Sequence, residues 1–243
     1  MAVKQPSKAQ AGRSAAASTA ATRNSKRSDS TRALLLDTAE RLFAEQGYEG
    51  TGVRQIAEQA DVNLGAIHYY WGSKQALCRE ALERRLVPVL SERTERIERV
   101  AAQRGGLAEL LDASHRPSLL AGGAQPEESE AFRRFYGRML FDPSPDVQAI
   151  LAALLDRFAT RFVGLLRQSC PDLSDDEFYW RVTFLYGAFL YAHTQHTRTT
   201  ALWGDRFNRT DFAAATDYLT RFLEGGLLAP PVRPRGTRPR RAR

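Results

Sequence analysis

From residue 30 to residue 229 apolar side chains return every three or four positions, and no stretch alternates with period two over a useful length. That spacing fits the turn of an α-helix and not the pleat of a strand, so the chain is read as all-α. The first helix is expected over 30–46, with Leu34, Leu35, Thr38, Ala39, Leu42 and Phe43 on one face and Gly47 as its left-handed stop. A second starts after Thr51, whose hydroxyl suits an N-cap, and turns Val53, Ile56, Ala57 and Ala60 inward. A short break at Asp61-Val62 precedes a third, over 63–71, which Gly72 ends. Ser73 caps a fourth that begins at Lys74 and reaches toward Gln103. Pro88 removes a backbone donor inside it, which predicts a kink or break. Further helices are expected at 107–121, 127–141 and 145–168, from the Ser174 cap toward Thr200, and at 210–224.

The 243 residues allow one compact domain or two small ones. No segment approaches the roughly 18 uncharged apolar residues that a membrane helix needs, and the first thirty residues hold no apolar signal core, so neither a membrane span nor a secretory signal is expected. Cys78 and Cys170 cannot build a disulfide framework, and a reducing cytoplasm is the expected home.

The net charge of +7 hides an uneven distribution. Residues 1–29 carry Lys4, Lys8, Arg13, Arg23, Lys26 and Arg27 against Asp29, and the last segment adds six arginines from Arg233 to Arg243 with no acid. The two tails therefore hold +11 and the body between them −4. Both tails, 1–29 and 230–243, lack large apolar side chains and are expected to be disordered. Basic tails suit polyanions, nucleic acid foremost, although a solvated extension needs no partner.

The second and third helices form a helix-turn-helix candidate. The second of such a pair must show small and polar residues near its start, so that it can approach base edges in the major groove. Asn63, Leu64, Gly65, Ala66, His68 and Tyr69 fit that demand. Asn63 can read a base edge, and Leu64 or Ala66 can touch a thymine methyl. Tyr69, Tyr70 and Lys74 can donate to phosphates. Thr51 and Arg54, at the start of the first helix of the pair, complete the expected DNA-binding set.

Spacing alone does not separate such a pair from any helical hairpin. The residues themselves carry more. The run RALLLDTAERLFAEQGYEGTGVRQIAEQADVNLGAIHYYWGSKQAL, residues 32–77, resembles the DNA-binding domain of the TetR family (tetracycline-repressor-like regulators). The matching elements are Ala39, Leu42 and Phe43 before Gly47-Tyr48, then Thr51, Ile56-Ala57, Ala60 and Val62, and the segment from Gly65 to Lys74. Trp71 replaces the family's usual phenylalanine at a position expected to be buried, and Leu64 replaces a basic residue common before the glycine.

The resemblance implies a helix-turn-helix domain over 30–76 and a helical ligand-binding and dimerisation domain over 77–229. It implies a ligand-released dimeric repressor on a palindromic double-stranded DNA operator, located in the cytoplasm at the nucleoid. Helix four, through Pro88, would be the lever between the two parts. An activator, a tail-driven non-specific nucleic-acid binder and a helical small-molecule carrier are the other readings. The last two helices typically pair with those of a second subunit, which small residues such as Gly187, Ala188 and Ala192 would permit. Residues 178–193 resemble a branch of the family that senses long-chain fatty acids or their thioesters, which implies an apolar pocket. Phe135, Phe158, Phe162, Trp180 and Tyr186 are its candidate lining, with plain hydrophobic core as the competing explanation. A small-molecule effector is expected and no cofactor. His193 and His196 share a helix face but lack further ligands at metal spacing, so no metal site is expected. No phosphate loop and no nucleophile-plus-base pattern points to an enzyme.

Overall fold

The structure, a computed structural model, describes residues 8–121, 126–193, 202–206, 208 and 211–232. Side chains are described for 27–121, for 128–192 and, with gaps, for 202–232. Among the described residues all regular structure is helical, as the spacing predicts. The chain divides into two compact units between Ala81 and Leu82, against a boundary after 76 read from the sequence.

In the first unit, α1 (Lys8–Gly50) begins well before the expected residue 30. The lack of large apolar side chains in residues 1–29 excludes a share in a core. It does not exclude a helix: Ala15, Ala16, Ala17, Ala20 and Ala21 are strong helix formers, and neither glycine nor proline falls between Arg13 and Gln46. The expected disorder is thus replaced by helix from Lys8 onward, and residues 1–7 lie outside the described residues. Gly47 interrupts α1 as expected, at φ 76 and ψ 176, a backbone region open essentially to glycine alone.

Leu35, Leu36, Ala39, Leu42 and Phe43 form the buried face of α1, while Leu34 is 47% exposed. Spacing could not rank three consecutive leucines. α2 (Val53–Gln59) packs on α1 and on α3 (Leu64–Trp71), and Ile56, Ala57 and Ile67 are buried.

In the second unit α4 (Lys74–Ala102), which starts in the first, runs unbroken through Pro88. The expected break does not form. Pro88 lies at an exposed position, where water reaches the backbone and a lost donor costs least. α5 (Leu107–Leu119) is central: it packs most extensively on α9 (Phe212–Leu228) and also meets α7 (Pro145–Ser169) and α8 (Asp175–His193). α6 (Pro126–Leu140) packs on α7 and α8. Ser174 caps α8 as expected, accepting from the Glu177 N–H, and Asp211 caps α9 through the Ala214 N–H.

One clasp closes the end of α9. The Arg181 guanidinium donates to the carbonyls of Gly226, Leu227, Ala229 and Pro230, and the Glu177 carboxylate accepts from Arg181 and from the Val232 N–H. These bonds hold the Glu177 carboxyl below the usual carboxylate range. Residues 230–232, expected at the head of a disordered tail, are therefore tied to α8; residues 233–243 lie outside the described residues. So do the side chains of His193 and His196. No helix among the described residues is long and apolar enough to cross a membrane, and none of their side chains group as a metal site.

Candidate functional site

The helix-turn-helix is built by local rules. α2 ends in a tight turn in which Asp61 takes φ 51, a conformation that aspartate tolerates better than most residues. The Val62 N–H returns to the Ala57 carbonyl at 3.0 Å, which closes the turn. Asn63 then caps α3: its side-chain oxygen accepts from the Gly65 N–H at 2.7 Å. Ile67 is fully buried, so the opposite side of α3 faces out. That side carries Gly65, His68 and Tyr69, spaced three and four residues apart, and Tyr69 is 81% exposed.

Two side chains at the end of α3 hold it in place. The Tyr70 hydroxyl donates to the Ser28 carbonyl at 3.1 Å and lies 2.8 Å from the Ser28 hydroxyl. The Trp71 indole N–H donates to Glu80 at 2.6 Å, and Arg32 pairs with the same carboxylate. Trp71 is half-buried rather than buried, because its indole reaches out to that ion pair. Gly72, at φ 71, ends the helix, and the Ser73 hydroxyl caps α4 by accepting from the Ala76 N–H.

The expected DNA-binding residues do not all face outward. Arg54, Asn63, Gly65, His68 and Tyr69 are exposed, and Leu64 and Ala66 are half-exposed. Thr51 is a correction. It is 1% exposed, and its hydroxyl donates to the Gly47 carbonyl rather than capping α2. α2 begins one residue later than that cap requires, after Gly52. Tyr70 and Lys74 are half-buried and engaged: Lys74 donates to the Tyr48 carbonyl at 3.1 Å and lies 4.1 Å from the centre of the Tyr48 ring. They position α3 and the α4 start within this unit.

The expected pocket residues of the second unit divide in two. Phe158 and Phe162 are buried and stacked, 5.8 Å apart. Phe135 is buried, and Tyr186 is half-buried with its hydroxyl enclosed and without a hydrogen-bond partner. Trp180 is a correction: it is 62% exposed and tilts against Phe184 on the outer side of α8. α8 carries large apolar side chains on both sides, so residue type could not tell which way Trp180 points.

Sequence reasoning missed a polar cluster inside this unit. Arg93 on α4 is 4% exposed, and its guanidinium lies 4.0 Å from the ring centre of Phe158 and 5.3 Å from that of Phe189. It reaches the Ser114 hydroxyl at 3.4 Å and a hydrogen bond to Tyr136. Burial pushes the Arg93 pKa below its usual value and those of Tyr136 and Tyr186 above theirs. A signal was present. Arg93 occupies the inward stripe of α4 between Leu86, Leu90 and Ile97, where an apolar residue is the rule.

A capped recognition-type helix carried on a three-helix head, ahead of a separate helical unit, defines a helix-turn-helix regulator. Comparison with known proteins narrows the class. The family described as "Bacterial regulatory proteins, tetR family" matches residues 35–81, and "Tetracyclin repressor-like, C-terminal domain" matches residues 112–226. Together they span about two thirds of the chain, which belongs to the TetR family. It is 43% identical over 44 residues to the uncharacterized HTH-type transcriptional regulator YuxN of Bacillus subtilis, a match covering 18% of this chain and 15% of that one. It is 26% identical over 140 residues to the HTH-type transcriptional regulator BetI of Rhizobium meliloti, covering 58% and 66%. The matches thus span less than two thirds of these relatives' own lengths. The fold is shared with the fatty acid degradation regulator FadR of Bacillus halodurans, with a TM-score of 0.58 at 15% identity over 82% of this chain and 96% of that one. The family is one of transcriptional regulators and not of enzymes.

Proposed function

We propose that the chain is a sequence-specific, effector-released repressor that binds a palindromic operator as a homodimer in the cytoplasm, at the nucleoid. The outward face of α3 carries this reading: Gly65 leaves room for close backbone approach, and His68 and Tyr69 project beside it. Arg54 adds a cation on the neighbouring helix. The basic residues before Asp29 supply phosphate contacts without sequence preference.

The second unit supports the dimer. Trp180, Phe184 and Tyr191 form an exposed stripe on α8, with exposed Gly187 between the last two, and Tyr218 and Phe222 are exposed on α9, which packs on α8. Exposed aromatics so grouped mark an interaction surface, and glycine lets a partner helix come close. Two copies would place their recognition helices about one DNA turn apart, roughly 34 Å. An effector, a hydrophobic small molecule such as a fatty acid or acyl thioester, lowers operator affinity by favouring a second conformer. A coupling of about 1–3 kcal/mol is typical of such systems. The division between the units falls inside α4, which makes that helix the connection through which the coupling acts.

Selection of genomic fragments by the purified protein at physiological ionic strength tests the reading. A shared inverted repeat is expected. Uniform recovery would replace the reading with tail-driven non-specific binding, and activation of a reporter by the recovered site would replace repressor with activator. The paired change Trp180→Asp and Phe222→Asp is expected to give monomers in sedimentation and to lose operator binding. A dimer that survives both would move the interface elsewhere.

A further inference from the structure

We propose that the Arg93 cluster is the anchor for a carboxylate, so that the effector is an amphiphilic anion with one carboxylate head and an apolar body. The inference rests on the effector-binding part of the function proposed above and deepens it.

A guanidinium stays charged in a protein, and burying it without a counter-ion is strongly unfavourable. Among the described residues no carboxylate pairs with Arg93, although the chain pairs other arginines freely, such as Arg116 with Asp112 and Asp217 and Arg161 with Glu98. The groups around Arg93 are hydroxyls and rings: Ser114, Tyr136, Tyr186, Phe158 and Phe189. Hydroxyls and ring faces offset part of the desolvation and leave the positive charge uncompensated.

The open valences point the same way. The Arg93 Nε–H is enclosed and has no hydrogen-bond partner, and neither has the Tyr186 hydroxyl. The edge formed by Nε–H and an adjacent terminal N–H is the edge with which arginine grips a carboxylate by two parallel bonds. The enclosed Tyr186 hydroxyl is a further donor left unused in the same unit. Tyr136 is hydrogen-bonded to Arg93, and the positive charge of Arg93 partly offsets the rise that burial causes in the Tyr136 and Tyr186 pKa values.

An apolar body also has a place to lie. A groove of about 610 Å³ runs between α4 and α7, within the size range of small-molecule sites; Leu90, Ile97, Leu154 and Phe158 are among its apolar lining, and Ser91, Thr94, Glu95, Glu98, Arg157 and Arg161 give it a polar and charged part. Phe158 joins the two features, since it lines the groove and bears Arg93 on its ring. Arg93 itself does not line the groove, so a ligand with its body there would reach past Phe158 to set its head at Arg93. A thioester or an alcohol with the same body lacks the charge that Arg93 leaves unmatched.

The test is calorimetric titration of the full chain with dodecanoate, dodecanol, methyl dodecanoate and naphthoate. A carboxylate, aliphatic or aromatic, is expected to bind about tenfold or more tightly than the alcohol and the ester. Dodecanoate against naphthoate reports whether the body is a chain or a ring. Arg93→Gln is expected to erase the preference for the acid while leaving the alcohol's affinity in place. Equal affinities for acid and alcohol, no carboxylate binding at all, or an unchanged preference in Arg93→Gln would each overturn the proposal. If that variant fails to fold, judged by circular dichroism, Tyr186→Phe decides instead: a reduced acid preference supports the anchor, and an unchanged one overturns it. Operator binding without ligand is measured in parallel. Intact operator binding with no carboxylate response sinks this inference alone, whereas an Arg93-dependent carboxylate response without operator binding sinks the repressor reading alone.

Discussion

The two units place polar side chains by opposite means. In the first, the polar groups around α3 come from one short stretch, Asn63 to Lys74, joined by Ser28, Arg32 and Glu80 from the flanking helices. They work at the surface, as a cap, as braces at the end of α3, and as the open face of Gly65, His68 and Tyr69. In the second, Arg93, Ser114, Tyr136 and Tyr186 come from α4, α5, α6 and α8 and meet in the interior. A surface face of that kind tolerates substitution of its exposed members without loss of fold. An interior cluster does not separate so cleanly, because the rings that hold Arg93 are also the core.

That contrast breaks first, and hardest, at Phe162. It is fully buried, stacked on Phe158 and edge-on to His115. Phe162→Ala is expected to cost about 3–5 kcal/mol of stability, the usual range for an aromatic removed from a core. Urea unfolding measures it. A loss under about 1 kcal/mol would mean that the region collapses easily or is already open, and the separation of core from cluster would need redrawing.

Tyr69→Ala probes the other side. With the side chain 81% exposed, stability is expected to change by less than about 0.5 kcal/mol. Operator affinity is expected to fall about fivefold to a hundredfold, by roughly 1–3 kcal/mol. Fluorescence anisotropy with the selected operator reads it out. Wild-type affinity would remove Tyr69 from the contact face.

How much of this was legible in the sequence follows from the same contrast. The all-helical class, the Gly47 and Gly72 stops and the caps at Ser73 and Ser174 depend on near neighbours, and the sequence displays near neighbours. Thr51 was misread because two local roles compete for one hydroxyl: an N-cap one residue earlier, or the bond to the Gly47 carbonyl that the structure adopts. Trp180 was misread because α8 is apolar on both sides, and only packing decides which side is inner. Arg93 was legible as a charge in an apolar stripe, but its partners are separated from it by whole helices. No spacing rule reaches that far.

Asn63 is where the two kinds of reading meet, since the sequence offers it as a base reader and the structure has it capping α3. The cap uses the side-chain oxygen, and the amide nitrogen is a separate group, so both roles fit one residue. Asn63→Ala removes both and is expected to cost about 1 kcal/mol of thermal stability. Asn63→Ser keeps an oxygen at the cap and drops the amide donor, so its stability is expected within about 0.5 kcal/mol of the parent. Its operator affinity is expected to fall severalfold. Full affinity in Asn63→Ser would assign Asn63 to the fold alone. Base reading would then rest on the exposed side chains further along α3, and the surface face would prove narrower than its exposure suggests.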